Sequence, residues 1–385
     1  MLPGHRELVS EVLRHPLTHT HTNSHTHGGY LRGAQFCVEH TQMLTLLPND
    51  DHYLGITAVV SLALQTVGFV VAYTLQVDIL TDFAGSTNFI LNALLALCAG
   101  AAQAGGGWVA PHPRALAMFL VLVLSRAELA AFLLRRVLKR GHDARFNAMR
   151  SHAPSFAVFW FLQAVWAWGV SIPVVWVAAE SGAGSGGPPL GAADGVALAV
   201  ALAGWLLETV ADLQKDAWRS DRARAQAVCS WGVWAWSRHP NFAGEMILWW
   251  GVWALGLPAY HGAPGALVAT LTSPLLTMLL LLCLSGMPTA EGVHQRRFMR
   301  TPQAAAAYAA YRDTTSPILP MPPALYGRTP RALRRWLLCE WDMYACPPED
   351  AQQPAAVEGD KTAALMGDAA ASGVQSYGAA GETRA

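Results

Sequence analysis

Long runs of apolar residues, separated by polar connections, constrain this sequence more than any other feature. A helix needs about 20 apolar residues to cross a bilayer core of about 30 Å. Charged residues make up only 14% of the chain, whereas soluble domains carry roughly a quarter. The runs that approach or reach spanning length are Leu54–Gln76, Asn88–Ala104, Arg114–Leu138, Ser155–Ala179, Ala192–Thr209, Phe242–Tyr260 and Ala266–Met287. The sequence therefore predicts an all-α, polytopic membrane protein with about seven transmembrane helices in one bundle.

The basic residues predict how this bundle is oriented. Lys and Arg are concentrated in the connections near 135–150, 215–238 and 296–312, whereas 180–194 and 259–265 contain none. Connections rich in Lys and Arg remain on the cytosolic side of a membrane. We therefore expect a cytosolic C-terminus and an N-terminus on the opposite side. Because no apolar segment follows Met1, we expect no cleaved signal peptide and assign the chain to the endoplasmic reticulum or another endomembrane.

Composition divides the chain into four parts. Residues 1–50 are polar and His-rich, and they are expected to be a disordered tail, although alternate histidines could also bind a metal. Residues 51–326 form the seven-helix membrane domain. Residues 327–346 are a cytosolic extension, and the Ala- and Gly-rich residues 347–385 are expected to be disordered.

Several classes of function are disfavoured by the sequence. The formal net charge is zero, which argues against a nucleic-acid partner. The six cysteines contain no CxxC pair, so we expect them to form neither a disulfide framework nor a zinc site. The sequence contains no GxGxxG turn after a strand, no Walker A motif, no HExxH and no GxSxG.

The segment Ser237–Glu245, with the sequence SRHPNFAGE, is the most informative polar stretch. Pro240 favours the first turn of a helix, whose free N–H groups attract anions. Arg238 adds a planar cation suited to phosphate or carboxylate. Asn241 and Glu245 share one helical face, and an acid within a span is costly enough to indicate function. The competing interpretation is a charged loop at the membrane boundary with a snorkelling arginine.

Acidic residues also occur near the ends of two other spans. Glu208 and Asp212 are four residues apart and repel each other unless something bridges them. A ligand would serve, as would Lys215 or an arginine from 219–224. Arg126 and Glu128 lie within the third span but do not face each other, so each needs a partner elsewhere, for structural pairing or for catalysis.

A last group of polar residues follows the final span. Glu291, His294 and Arg297 occupy helical positions there, and Tyr308 and Tyr311 follow in a second short helix. Both helices could close over a cofactor from the cytosol. They could equally be amphipathic helices that lie at the membrane interface.

These motifs occur in the order found in a known family. The blocks are Glu208-x3-Asp212-x-Gln214-Lys215, Trp236-Ser237-Arg238-His239-Pro240-Asn241-Phe242-x-Gly244-Glu245, Ser285-Gly286 with Glu291, and Tyr308-x2-Tyr311. Over roughly residues 54–326 the chain resembles the steroid 5-alpha-reductase-like membrane family, in the branch with an RHPN(Y/F)xGE block. The resemblance implies a seven-helix bundle in which NADPH binds among the C-terminal helices and a lipid double bond is reduced.

The resemblance also implies roles for individual residues. Asn241 and Glu245 match positions that hold the nicotinamide, and Glu208 and Asp212 match positions near the ribose and amide. Arg297 lies in the stretch that contacts phosphates. Taken together, the motifs and the resemblance predict a cofactor site formed by Glu208, Asp212, Lys215, Arg238, His239, Asn241, Glu245, Glu291, Arg297 and Tyr311. The proton donor is not identified by the resemblance, and Glu128 is the candidate because it is an acid inside a span.

The chain departs from the steroid enzymes at several positions. Glu208 replaces an asparagine, and Gln295 and Met299 replace a histidine and a tyrosine. The predicted function is therefore NADPH-dependent reduction of a carbon–carbon double bond in a lipid, sterol or isoprenoid-type substrate. The block is also similar to one in membrane methyltransferases that act on isoprenylcysteine and phospholipids with S-adenosylmethionine. That reaction is the first alternative, and a non-catalytic membrane scaffold is the second.

Overall fold

A computed structural model describes residues 50–344, except 78–79, 104–110, 141–148, 150, 183–186, 222, 225–226, 262 and 299–300. The predictions for the terminal tails at 1–49 and 347–385 lie outside the described residues. The seven long helices are α1 (Leu54–Leu75), α2 (Leu80–Gln103), α3 (Pro113–Arg140), α4 (Ala153–Gly182), α5 (Ala192–Ser220), α6 (Pro240–Tyr260) and α7 (Pro264–Leu279). A π-helical turn, Leu280–Leu284, continues α7. Four short helices follow: α8 (Met287–Phe298), α9 (Pro302–Thr314), α10 (Pro323–Arg328) and α11 (Arg331–Leu337).

Six helical segments among the described residues are long and apolar enough to cross a membrane. They are Leu54–Leu75, Thr81–Ala102, Pro113–Leu138, Ala153–Ser181, Ala192–Ser220 and Pro264–Glu291. The prediction of an all-α polytopic membrane protein is confirmed. The remaining predicted span forms as helix α6, which has 21 residues and packs along α5.

Two spans differ in length from the sequence prediction. Helix α2 begins at Leu80 instead of Asn88, and α5 continues to Ser220 past the predicted end at Thr209. The added turns are polar, but tertiary contacts stabilise them. The Gln163 amide donates to the Thr81 carbonyl over 2.8 Å at the start of α2. Near the end of α5, the Gln214 side chain accepts from the Val233 amide over 2.9 Å. Hydropathy alone does not detect such partners.

Small residues allow α5 and α6 to pack in close contact. A Cβ atom added at Gly204 or Gly244 would collide with the backbone of the facing helix, at Leu248 and Glu208 respectively. The same collision would occur between Gly251 and Ala201. Glycine in these positions lets helical backbones approach each other within a membrane. The pairing runs antiparallel, so the end of α5 lies beside the start of α6.

A buried layer of polar side chains joins α1, α2 and α4. Asn88 and Asn92 donate to the Ser61 hydroxyl over 2.8 and 2.9 Å, and Asn92 also donates to Ser171 over 3.3 Å. All four side chains are buried. Hydrogen bonds of this kind hold transmembrane helices together where the hydrophobic effect does not.

The segments around the start of α6 close one end of the bundle. The Arg238 and His239 amides donate to the Ser316 and Pro317 carbonyls over 2.8 and 3.1 Å. The Met321 amide donates to the Trp236 carbonyl over 3.0 Å. The chain after α9 therefore pairs with the chain before α6. We call this the basic end, because Lys215, Arg219 and Arg238 lie there.

Candidate functional site

A buried arginine joins three helices near the basic end. Arg126 of α3 is fully buried, and its Nη2 lies 3.3 Å from a Glu208 oxygen on α5. Its Nη1 lies 3.2 Å from a Glu245 oxygen on α6. One guanidinium therefore faces two carboxylates. The sequence predicted that Arg126 and the Glu208/Asp212 pair each need a partner, and the structure shows that Arg126 pairs with Glu208 directly.

Aromatic rings complete the surroundings of this arginine. The Arg126 guanidinium carbon lies 5.5 Å from the ring centroid of Trp249 and 5.9 Å from that of Phe89. The two rings themselves lie 5.6 Å apart. A guanidinium over an aromatic face is attracted by the ring quadrupole. These contacts stabilise a charge that would otherwise be costly in the apolar core.

A carboxamide and a carboxylate meet one turn closer to the basic end. The Asn241 Nδ2 donates to Asp212 Oδ1 over 3.1 Å. The Asn241 Oδ1 is buried and has no hydrogen-bond partner among the described residues, and the same is true of Arg126 Nε. A buried polar atom without a partner is costly. The cluster therefore retains one unused acceptor and one unused donor, which a polar ligand group could satisfy.

Glu128 occupies a separate position on α3. Its Oε2 accepts a hydrogen bond from the Thr209 hydroxyl over 3.1 Å, which links α3 to α5. Glu128 is partly buried, and the ion pairs of the Arg126 guanidinium are formed with Glu208 and Glu245 instead. Its predicted role as a proton donor stays a prediction.

Lys215, three residues after Asp212, lies against an aromatic ring. Its Nζ is 3.8 Å from the ring centroid of Trp234, and it forms no ion pair within the part of the chain that the structure describes. Trp234 is buried and fixed by an indole hydrogen bond to the Ala211 carbonyl over 2.8 Å. The lysine is therefore held in place against this ring.

Lys215 and Trp234 belong to the wall of a cavity at the basic end, with about 450 Å³ of open space. Its charged side chains are all cationic, and most of its other side chains are aromatic. They are Lys215, Arg219 and Arg238, with Trp218, Trp234, Phe298, Tyr308 and Tyr311. Cations and flat rings together suit a ligand with phosphate groups and a planar ring system.

A second ionic network lies at the start of α6. Arg238 Nε is 3.1 Å from Glu291 Oε1, and its Nη1 is 3.3 Å from Glu340 Oε1. Glu291 Oε1 is also 2.9 Å from His239 Nε2. Glu291 Oε2 accepts a hydrogen bond from the Tyr308 hydroxyl over 3.2 Å. The Arg238 charge, which the sequence assigned to phosphate, is thus already paired with two carboxylates of the chain.

Burial sets the protonation of these groups. Burial lowers the pKa of His239 below its ordinary value, and the hydrogen bond that the imidazole donates to Glu291 only partly opposes this. Burial also raises the pKa of Tyr308 and Tyr311, and the nearby Glu291 carboxylate adds to the effect. Burial acts to lower the pKa of Arg238, but Glu291 and Glu340 outweigh it and the pKa is raised. At neutral pH the imidazole is therefore neutral and both phenols are protonated.

The predicted site residues divide into two clusters. We name the inner cluster as Arg126, Glu208, Asp212, Asn241 and Glu245, and the outer cluster as Arg238, His239, Glu291, Tyr308 and Glu340. Lys215 and Tyr311 lie on the cavity wall at the basic end, and the Tyr311 hydroxyl donates to the Trp234 carbonyl over 2.6 Å. Arg297 lies in α8, but its side chain is outside the described residues.

Three members of these clusters, Arg126, Tyr308 and Glu340, were not predicted as site residues, although Tyr308 lies in the short helix that was expected either to close over a cofactor or to lie at the membrane interface. Arg126 had a visible signal, because an arginine within an apolar run must be paired. Glu340 had none, since it lies in an extension with no apolar period, far from Arg238 in sequence.

Comparison with known proteins gives one match. No curated protein and no solved structure matches the chain significantly. One family model, described as "Protein of unknown function (DUF1295)", matches residues 68–315. The matched region begins within α1 and ends just after α9, and it contains every residue of both clusters except Glu340. The chain belongs to this family.

Proposed function

We propose that the chain is a membrane oxidoreductase that reduces a carbon–carbon double bond of a lipid, sterol or isoprenoid-type substrate with NADPH. The observation that carries the proposal is the position of the cationic and aromatic cavity. It lies at the basic end, beside an inner cluster that keeps an unused amide acceptor. A dinucleotide needs both features, one at each of its ends.

The cavity fits the phosphate-bearing half of such a cofactor. Lys215 and Arg219 would bind phosphate oxygens, and Trp218 or Trp234 would stack on the adenine. S-Adenosylmethionine has no phosphate and carries a positive sulfonium, so these cations favour NADPH over the methyl donor.

The inner cluster fits the nicotinamide half. A carboxamide group offers two N–H donors and one acceptor. The unpaired Asn241 Oδ1 could accept from such a group, and the unpaired Arg126 Nε could donate to it. When bound there, NADPH would supply a hydride. Glu208 and Glu245 hold Arg126 in position for this contact.

The remaining half of the reduction needs a proton. Glu128 is the candidate, since its carboxyl lies at the contact between α3 and α5 and is fixed by Thr209. The Glu128→Gln variant keeps the hydrogen-bonding shape but has no proton to donate. We expect it to bind NADPH normally and to lose turnover, and unchanged turnover would exclude Glu128.

The same reasoning places the basic end, with the cavity mouth, in the cytosol, where NADPH is available. The endoplasmic reticulum or another endomembrane remains the proposed location. A lipid substrate would reach the inner cluster from within the bilayer, while the apolar bundle excludes water from the reacting bond.

The test is ligand-dependent thermal stabilisation of the purified full chain in detergent, titrated separately with NADPH, NADH and S-adenosylmethionine. A ligand that binds only the folded state stabilises it by about 2.7 kcal/mol at a hundredfold excess over its Kd. We expect saturable stabilisation by NADPH. Lys215→Met should abolish it, and so should Asn241→Leu. The matched control Arg135→Met, an exposed arginine outside the cavity, should leave it unchanged.

Two results would contradict the proposal. Stabilisation by S-adenosylmethionine alone would replace the reductase with a methyltransferase. No stabilisation by any of the three would favour a membrane scaffold that has the fold without the cofactor.

A further inference from the structure

The chain after α9 carries an exposed surface that combines arginines with large apolar side chains. We define the arginine–tryptophan surface as Leu325, Arg328, Arg331, Leu333, Trp336 and Leu337. All six side chains are exposed, with Trp336 at 81% and Leu337 at 65%. This surface lies on α10 and α11, beyond residue 315, where the family match ends. It takes no part in the proposed cofactor site.

Contacts of Arg334 join the helices that carry this surface to each other and to α9, where it donates to the Asp313 carbonyl over 3.2 Å. Arg334 donates to the Thr329 and Gly327 carbonyls, each over 2.9 Å, and its guanidinium carbon lies 4.4 Å from the Tyr326 ring centroid. The exposed tryptophan and leucines are therefore fixed outward and do not reflect a loose segment. An apolar surface held in this way calls for a partner.

The attachment points of this segment place it beside the lipid-facing surface of the bundle. The Tyr344 hydroxyl donates to the Leu282 carbonyl over 2.8 Å, at the end of the last membrane span. In the same region Leu279 and Leu284 are 48% and 56% exposed, as lipid-facing side chains are. The arginine–tryptophan surface therefore belongs to a segment that is attached beside exposed apolar side chains of the last candidate membrane span.

Two further tryptophans lie at the same end. Trp231 and Trp236 are about half exposed and precede α6, and Trp236 is joined to the segment before α10 through Met321. Tryptophan concentrates at the membrane–water interface, where its ring is partly apolar and partly wet. Trp336 would therefore lie at the membrane–water interface together with Trp231 and Trp236.

The charge of the surface selects among possible partners. Arg328 and Arg331 are exposed and form no ion pair within the described ranges, whereas Arg335 pairs with Asp342. Two unpaired cations flanking apolar side chains match an anionic lipid headgroup layer, which attracts basic residues near the surface. We propose that the arginine–tryptophan surface docks on the anionic leaflet at the basic end of the bundle. The partner is the membrane that holds the chain, and not another protein.

This docking would reach the outer cluster through the same segment. Glu340 follows α11 by three residues, accepts from the Tyr326 hydroxyl and pairs with Arg238. A surface anchored on the membrane would hold Glu340 against Arg238. The inference does not depend on the identity of the cofactor.

The test is hydrogen–deuterium exchange of the full chain in lipid nanodiscs that hold one chain each. Discs of phosphatidylcholine alone are compared with discs that also contain phosphatidylserine. Each arginine near an anionic surface strengthens attachment by about fivefold. For the two arginines Arg328 and Arg331 together, we therefore expect the amides of residues 331–338 to exchange up to about 25-fold more slowly in discs with phosphatidylserine. This difference should vanish at about 1 M salt, where the Debye length is about 3 Å.

Two variants separate the charge from the apolar contact. Arg328→Gln combined with Arg331→Gln should remove the dependence on phosphatidylserine, whereas the exposed Arg135→Gln should retain it. Trp336→Gln combined with Leu337→Gln should speed exchange in both kinds of disc. Since all these side chains are exposed, thermal stability in detergent should not change, and exchange near Tyr344 serves as the control for folding.

Identical exchange with and without phosphatidylserine would overturn the proposal. So would protection that appears in neutral lipid only when two chains share a disc, because the surface would then join copies of the chain. Either result would leave the cofactor proposal standing, since NADPH-dependent stabilisation in detergent is measured independently of lipid charge.

Discussion

Replacing Arg126 by methionine should strongly destabilise the bundle. Methionine has a similar length but no charge, so Glu208 and Glu245 would lose the cation that lies within 3.3 and 3.2 Å of them. Removing one partner of a buried ion pair costs about 3 to 5 kcal/mol, because the remaining charge is left uncompensated. The Glu208 side chain is only 7% exposed, whereas the Glu245 side chain is 15% exposed. The main cost therefore falls on Glu208.

The predicted loss is large enough to measure by thermal unfolding in detergent. Each kcal/mol shifts the Tm by roughly 2 to 4 °C for a domain of 150 to 250 residues, so we expect a fall of about 6 to 20 °C. The abundant tryptophans provide a fluorescence signal for unfolding. The control is Arg135→Met on the same helix, which is exposed and should change stability by less than about 0.5 kcal/mol.

A rescue variant tests the reason for the loss. Combining Arg126→Met with Glu208→Gln and Glu245→Gln removes all three charges, and a neutral replacement of a buried ionic group is often close to neutral in stability. We expect the triple variant to recover most of the lost Tm. The reasoning is refuted if Arg126→Met unfolds at the native Tm, or if the triple variant is as unstable as the single one.

Three further predictions concern packing, pH and the C-terminal extension. Gly251→Ala places a methyl group against the Ala201 backbone and should cost about 1 to 3 kcal/mol, whereas Gly195→Ala on α5 meets open space and should be neutral or stabilising. Because burial lowers the pKa of His239, the unfolded chain binds more protons below its ordinary pKa of about 6.5. The contribution of His239 to stability is therefore present above about pH 6.5 and is lost as the pH falls below that value, so the Tm of the native chain should fall with it. The His239→Gln variant should show a weaker dependence of Tm on pH in this range. Tyr344→Phe removes a buried hydrogen bond to Leu282 and should cost about 1 kcal/mol, seen as faster amide exchange near residue 344.

Much of the fold follows from hydropathy. Each predicted run forms a helix. In lipid, a run of about 20 apolar residues can form all its backbone hydrogen bonds only as a helix or as part of a closed barrel. The ends of α2 and α5 were predicted less well. The added turns, at the start of α2 and at the end of α5, are polar, and they are helical because Gln163 and Val233 provide partners from elsewhere in the bundle.

The inner cluster could be predicted in part. The spacing of Asn241 and Glu245, and of Glu208 and Asp212, places each pair on one helical face, and the structure brings the two faces together through close glycine contacts. That Arg126 belongs with them could not be derived from spacing, since α3 is distant in sequence. Lys215 was one of the alternatives for bridging Glu208 and Asp212, and its ammonium group lies over Trp234, whereas Arg126 pairs with Glu208 directly.

The outer cluster shows a different limit of sequence reasoning. The RHPN block indicated a phosphate-binding arginine, but Arg238 is paired with Glu291 and Glu340. A sequence motif identifies the cation, but it does not show which residues pair with that cation in the fold. Glu340 comes from a segment outside the family match, and no sequence pattern predicts its place at the site.

The proposed reaction is tested most directly by following isotopes into lipid. The full chain in nanodiscs is incubated with a membrane lipid extract and either NADPH deuterated at the transferable position or S-adenosylmethionine with a deuterated methyl group, and the lipids are analysed by mass spectrometry. A reductase transfers one deuterium from NADPH to carbon and takes one proton from water, so we predict a lipid that gains a single deuterium, and we expect Asn241→Leu to abolish this gain. A deuterated methyl group on the lipid, or no label from either donor, would contradict the proposed reaction.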